Sequence, residues 1–202
     1  MNMKFILGKK IGMSQIFDKD GNIVPVTVIE AGPCFVTQIK NIEKDGYSAV
    51  QIGFGDLKTK KVKKSQKDKL FKYIREFKIK GEEKRELKKG DKIDISIFVE
   101  GERIKISSIS KGRGFQGVVK RHGFKGGPAS HGHKHSLRKP GSIGSSFPER
   151  VPKGRRMAGH MGVKRTTIKN LKIVLVDVDN NLLAITGAVP GPSSGLIEIK
   201  TV

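Results

Sequence analysis

Residues 111–169 constrain the fold of this chain more than any other stretch. Of these 59 residues 14 are apolar and 12 are glycine, and all five histidines of the chain fall among them. So few apolar side chains cannot offset the entropy lost on ordering the backbone, and glycine raises that cost further. The segment is therefore expected to take its order from a partner rather than to fold independently. Its charge indicates the chemistry of that partner: 15 Lys/Arg stand against one acidic residue, Glu149, for a net +14. If the loop ran out and back fully extended, it would reach on the order of 90 Å, and an irregular path about half of that.

The rest of the chain carries its charge in one further block. Residues 56–92 hold 16 Lys/Arg against 7 Asp/Glu, and the remaining 106 residues of the 202 carry a net −1, within a whole-chain charge of +22. Such segregation is expected of a neutral folded scaffold bearing anion-binding extensions. With 36% hydrophobic residues the scaffold can form a core. Nucleic acid is the natural polyanion for so basic a chain. A membrane surface competes, but no apolar run approaches the roughly 20 residues of a spanning helix. The N-terminal MNMKFILGKKIG is too short in its apolar part for a secretory signal and lacks a transit-peptide pattern, so a cytoplasmic location is expected. One cysteine, Cys34, excludes an internal disulfide and a cysteine zinc cluster; it is expected to be a small core residue.

The neutral part reads as mainly β. Residues 93–99 alternate, with Ile93, Ile95, Ile97 and Val99 on one face, and Glu100-Gly101 suggests a turn into a second run around Ile104 and Ile106. Val174, Val176 and Val178 alternate before an Asn180-Asn181 turn, and residues 182–185 return, giving a second expected hairpin. Residues 23–30, 35–40 and 49–54 are short β-branched runs between Gly, Pro, Asn and Asp turns, with Pro25 at an expected edge or bulge. Closely spaced short strands favour a small closed β-barrel, assembled from 1–55, 93–110 and 170–202. Within the basic insertion 56–92, the spacing of Leu70, Phe71, Ile74 and Phe77 predicts a short helix laying an apolar stripe on that barrel. A short helix is also expected near 115–122, with the rest of the 111–169 extension an irregular loop.

Sharper chemical readings of the extension find little support. His131, His133 and His135 alternate on a glycine-rich loop with Glu149 as the only carboxylate of the segment, a poor set for a tetrahedral ion, so no metal is expected. Gly112-Arg113-Gly114-Phe115-Gln116-Gly117 matches a dinucleotide-binding loop loosely but lacks the acidic residue about 20 positions on. No nucleophile elbow, phosphate-binding loop or paired carboxylates appear, so neither catalysis nor a cofactor is expected. The cations suited to phosphate neutralisation are Lys111, Arg113, Lys120, Arg121, Lys125, Lys134, Arg138, Lys139, Lys153, Arg155, Arg156, Lys164 and Arg165, with His131 and His133 as stacking or hydrogen-bonding groups. Gly112, Gly114, Gly117, Gly126, Gly127, Gly141, Gly144, Gly159 and Gly162 would let the backbone bend and approach RNA closely. An architectural DNA-binding protein shares the charge but wants a helix-turn-helix or wedge hairpin, neither of which is evident. An RNA-modifying enzyme would need a cofactor loop or an acid/base pair.

Five stretches carry a family likeness: GKKIGMSQIF (8–17), SKGRGFQGVVKRHGF (110–124), PGSIGSS (140–146), VPKGRRMAGHMG (151–162) and GAVPGP (187–192). Together, and in this order, they resemble the universal large-subunit ribosomal protein L three family in its bacterial form. The resemblance implies a barrel like those of translation factors, and a basic loop entering the large-subunit rRNA toward the peptidyl transferase centre. It also implies binding near the 3′ end of that RNA, an early role in subunit assembly, and neighbours of the L fourteen and L nineteen families. The likeness departs after Gly144, where Ser145, Ser146 and Phe147 replace the glutamine that some bacterial members methylate.

Overall fold

The computed structural model describes residues 4–18, 20–58, 62, 69–79 and 87–201. Its strands are β1 (Phe5–Phe17), β2 (Ile23–Ala31), β3 (Cys34–Lys40), β4 (Ala49–Asp56), β5 (Phe71–Lys78), β6 (Lys92–Ile93), β7 (Arg103–Ile109), β8 (Gly114–Gln116), β9 (Gly159–Met161), β10 (Arg165–Asp177), β11 (Leu182–Thr186) and β12 (Leu196–Thr201). Two short helices, α1 (Ile42–Asp45) and α2 (Val118–His122), and a 3-10 turn at Ile95–Ile97 complete it. The chain divides into two compact units, Met1–Ser110 with Arg165–Val202, and Lys111–Lys164.

In the larger unit six strands pair antiparallel in a closed cycle, β1-β12-β7-β10-β11-β2 and back to β1. A second sheet runs β5-β4-β3-β6. One core serves both. Ile6, Leu7, Ile29, Ile104, Ile106, Ile173, Leu183, Ile185, Ile197 and Ile199 are essentially sealed from solvent, and Val36, Val50, Ile52, Phe54 and Phe77 of the second sheet join the same cluster. Each fully buried aliphatic side chain of this kind contributes about 1.5–3 kcal/mol of transfer free energy. Cys34 is a core residue, its sulfur accepting from the Leu7 amide at 3.4 Å.

Pro25 faces Gln15 of β1, and the β2–β11 ladder ends one residue on, at Val26, with the Pro25 carbonyl accepting from the Gly187 amide at 2.8 Å, so the proline sits at the end of that ladder. The expected Val174–Val178 hairpin forms as β10 and β11. A register shift between Ile173 and Leu175 puts Ile173 in the core, with Val176 packed against it, and leaves Leu175 and Val178 exposed. Asn181 takes φ 55° in the connecting turn, where the Asn180 amide donates to the Asp177 carboxylate at 3.1 Å.

Three expectations are corrected. Residues 71–78 are strand β5, not helix: they pair along β4 from Ala49↔Lys78 to Asp56↔Phe71. Phe71, Tyr73 and Phe77 alternate at period two, and their rings stack on Phe35, Phe54 and Phe5 with centroids 5.6, 6.5 and 4.7 Å apart. A helix would scatter these rings around its circumference, whereas the open edge of β4 accepts them in register. Residues 66–68 of the expected helix, and 59–61, 63–65 and 80–86 of the insertion, lie outside the described residues. Next, 93–99 does not pair with β7 as a hairpin arm, because β10 and β12 occupy both edges of β7. The run instead turns through Ile95–Ile97, burying Ile93, Ile95 and Phe98 and exposing Val99. Finally, residues 165–169, counted with the extension in the sequence, begin β10 and pair with β7 from Arg165↔Ile109 to Ile168↔Ile106. Among the described residues no helix is long and apolar enough to cross a membrane.

Candidate nucleic-acid interface

The smaller unit, Lys111–Lys164, is tied together at its two chain ends. β8 and β9 pair as Gly114↔Met161, Phe115↔His160 and Gln116↔Gly159, and the Arg113 amide donates to the Met161 carbonyl at 2.9 Å. Gly162 makes this closure possible. It sits at φ +88°, and a Cβ there would lie 2.1 Å from the Lys111 carbonyl oxygen.

The glycines expected to admit RNA divide into two groups by what surrounds them within the chain. Gly112, Gly126, Gly127, Gly159 and Gly162 lie against the protein's own chain, each with an atom of another residue 3.0 Å or less from where a Cβ would stand. Their missing side chains make room for these internal crossings of the chain. Around Gly114, Gly117 and Gly141 that position is open, with no protein atom within 4 Å, and at Gly144 the Arg150 carbonyl oxygen is 3.9 Å away. Gly141, at φ +77°, owes its glycine to the left-handed backbone of the loop and not to a close neighbour within the chain.

Helix α2 follows β8 at once. The Gly123 amide closes it onto the Val119 carbonyl at 2.9 Å, with Gly123 in the left-handed region at φ 73°, and Lys120, Arg121 and His122 occupy its last turn, where the helix dipole favours positive charge. Val118, 2% exposed, is the buried hydrophobic residue of the unit. Arg121 donates to the Met157 carbonyl, and the His122 Nε2–H reaches the same oxygen at 3.0 Å. A Cβ on Gly159 would come 2.9 Å from the Arg121 guanidinium. Arg121 is thereby half-buried and structural.

The other cations singled out from the sequence, Lys111, Arg113, Lys120, Lys125, Lys134, Arg138, Lys139, Lys153, Arg155, Arg156, Lys164 and Arg165, are exposed, as are His131 and His133. Arg155 combines exposure with a backbone role, donating to the Ser142 carbonyl at 2.9 Å across the loop. Arg165 differs in kind: it lies in β10 and its guanidinium pairs with Glu198, which also accepts from Arg75 at 3.2 Å. Its charge is already shared with a carboxylate. Among the described residues no three His, Cys, Asp or Glu side chains are placed to hold a metal ion.

Reading by charge and glycine passed over the aromatic residues of this unit. Phe115 and Phe147 are 76% and 80% exposed, and Phe124 is half-buried against the His122 ring at 6.0 Å. The signal was available: a large aromatic in a stretch too poor in apolar residues to bury it is an unpaired surface.

A β scaffold joined in sequence to a self-tied, strongly cationic, glycine-rich unit defines a class of polyanion-binding proteins built on a β framework. Comparison with known proteins narrows the class. Residues 84–181 match the family described as Ribosomal protein L3. The large ribosomal subunit protein uL3 of Pelotomaculum thermopropionicum is 50% identical over 204 residues, covering 98% of this chain and 96% of its own. That of Carboxydothermus hydrogenoformans is 48% identical over 204 residues, with the same coverage, and that of Heliobacterium modesticaldum 47% over 208, covering 100% and 98%. The chain belongs to the ribosomal protein L3 family.

Proposed function

We propose that the protein is a structural constituent of the large ribosomal subunit in the cytoplasm and not an enzyme, as the family name and the names of its relatives imply. The observation that carries the mechanism is the exposure of 12 of the 13 Lys/Arg in 111–164 around a single carboxylate, Glu149. Crowded rRNA phosphates repel one another. Cations fixed on a thin loop release condensed counterions and let RNA strands pack where a globular surface could not enter. The β8–β9 pair and the Arg121–Met157 contact hold the two legs of the unit together, so that its cations arrive as one ordered surface. The open backbone at Gly114, Gly117, Gly141 and Gly144 is where an RNA strand can come closest to the chain. The closed six-stranded ring acts as a barrel of the translation-factor kind, and the extension is directed toward the peptidyl transferase centre. Binding lies near the 3′ end of the large rRNA, early in assembly, with rRNA and other ribosomal proteins as partners, among them the L fourteen and L nineteen families.

The test is equilibrium binding of the full chain to large-subunit rRNA over a range of salt, with duplex DNA as competitor. Replacing Lys153, Arg155 and Arg156 by alanine should flatten the slope of log affinity against log salt by about 2–3, at roughly 0.7–0.9 per phosphate contact. Equal competition by duplex DNA would favour the architectural DNA-binding alternative instead.

A further inference from the structure

The β8–β9 pair and α2 leave residues 124–141 unaccounted for. Here two runs of chain, 124–127 and 136–141, are locked side by side. The Gly127 amide is shared between the Ser136 and Leu137 carbonyls at 3.2 and 3.1 Å. Gly126, at φ +79°, lies so close that a Cβ would stand 2.0 Å from the Leu137 oxygen. Beside them opens a cavity of about 710 Å³, lined by Phe124, Lys125, His133, Ser136 and Lys139, with glycine and proline backbone completing the wall. That volume falls within the roughly 300–1,000 Å³ of pockets that enclose small ligands.

The lining combines two ammonium groups, an imidazole, a hydroxyl and an aromatic ring, without a carboxylate. Phosphate neutralisation alone requires neither the ring nor the concavity. Phe124 is held by the His122 ring, centroids 6.0 Å apart and inclined at 44°, and it also lines the cavity. An RNA duplex keeps its base faces stacked; an unstacked nucleotide can present one to an aromatic ring.

We infer that this cavity receives a single nucleotide extruded from rRNA, its base against Phe124, its flanking phosphates at Lys125 and Lys139, and its polar edge within reach of His133 and Ser136. The inference rests on the reading of this unit as an rRNA-binding extension.

Its test uses the full chain and large-subunit rRNA. Phe124→Leu keeps bulk but removes the aromatic face, and it should lower affinity roughly tenfold, the scale of one base–aromatic stack, while leaving the salt slope unchanged. Phe124→Trp should restore affinity. The Lys125→Ala, Lys139→Ala pair should instead flatten the salt slope by about 1.4–1.8. Ultraviolet cross-linking should join Phe124 to one nucleotide and lose that product in Phe124→Leu. Unchanged affinity in Phe124→Leu, a loss that Trp does not restore, or cross-links spread over many nucleotides would overturn the pocket and leave rRNA binding standing. Failure of the unaltered chain to bind rRNA would remove both.

Discussion

Burial pushes the Cys34 thiol up from 9.0 to about 12, offset in part by its hydrogen bond to Leu7. The folded state therefore keeps the thiol neutral where the unfolded chain would ionise it. Stability from this residue is fully present below pH 9 and is lost as pH rises toward 12. A thiol reagent such as DTNB at pH 8 should leave the folded chain unmodified and react fully in denaturant; rapid reaction with the native chain would contradict the burial. Gly162 gives a second prediction at this scale. Gly162→Ala must distort either the left-handed backbone or the Lys111 carbonyl it would strike, at a cost of about 1–3 kcal/mol for the strained conformation alone. Hydrogen exchange of the Arg113 amide, bonded to Met161, should accelerate while amides of the β7–β12 ladder stay protected. Equal acceleration in both would show that the glycine supports the whole molecule.

Among the elements, β5 has the most testable consequences. Its aromatic side supplies Phe77, 5% exposed and stacked on Phe5, so Phe77→Ala should cost about 3–5 kcal/mol in denaturant unfolding. A loss under 1 kcal/mol would fit a peripheral helix better than a core strand. Beside the aromatic row, Glu76 accepts from the Tyr47 hydroxyl at 2.8 Å and pairs with Lys40 at 3.0 Å, and the Tyr47 bond first, with Lys40 and Gln51 assisting, holds its carboxyl below the usual range. This strand also shows what local pattern leaves open. Leu70, Phe71, Ile74 and Phe77 satisfy helical spacing, while Phe71, Tyr73 and Phe77 satisfy strand spacing equally well. What decides between them is the free edge of β4, a partner about 20 residues away in sequence. The expected hairpin arm at 93–99 failed for the opposite reason: its alternation was real, but β12 and β10 had already filled both edges of β7. Where a turn closes the strands directly, as at Asn180-Asn181, the sequence pattern was sufficient.

For the whole molecule, the division of charge is a property of the sequence itself and is legible there. The closure of the basic unit is not, because it depends on contacts spanning 35 residues or more: Arg121 with Met157, and the chain crossing at Lys111 and Gly162. For the same reason sequence alone could not separate Gly162, pressed on its own chain, from Gly141, which faces open space. The extension was expected to be irregular apart from a short helix near 115–122; α2 forms there, whereas the β8–β9 pair was not foreseen, since three-residue strands carry almost no periodic signal. Family membership likewise rests on the whole chain, with relatives matching 98–100% of its length. Sedimentation tests the ribosomal role most directly. A tagged copy is followed on sucrose gradients through free, large-subunit and whole-ribosome fractions after a high-salt wash. Salt-resistant, stoichiometric recovery with the large subunit is the predicted result. Recovery in the free or nucleoid fractions, with the large subunit empty of the tag, would contradict it.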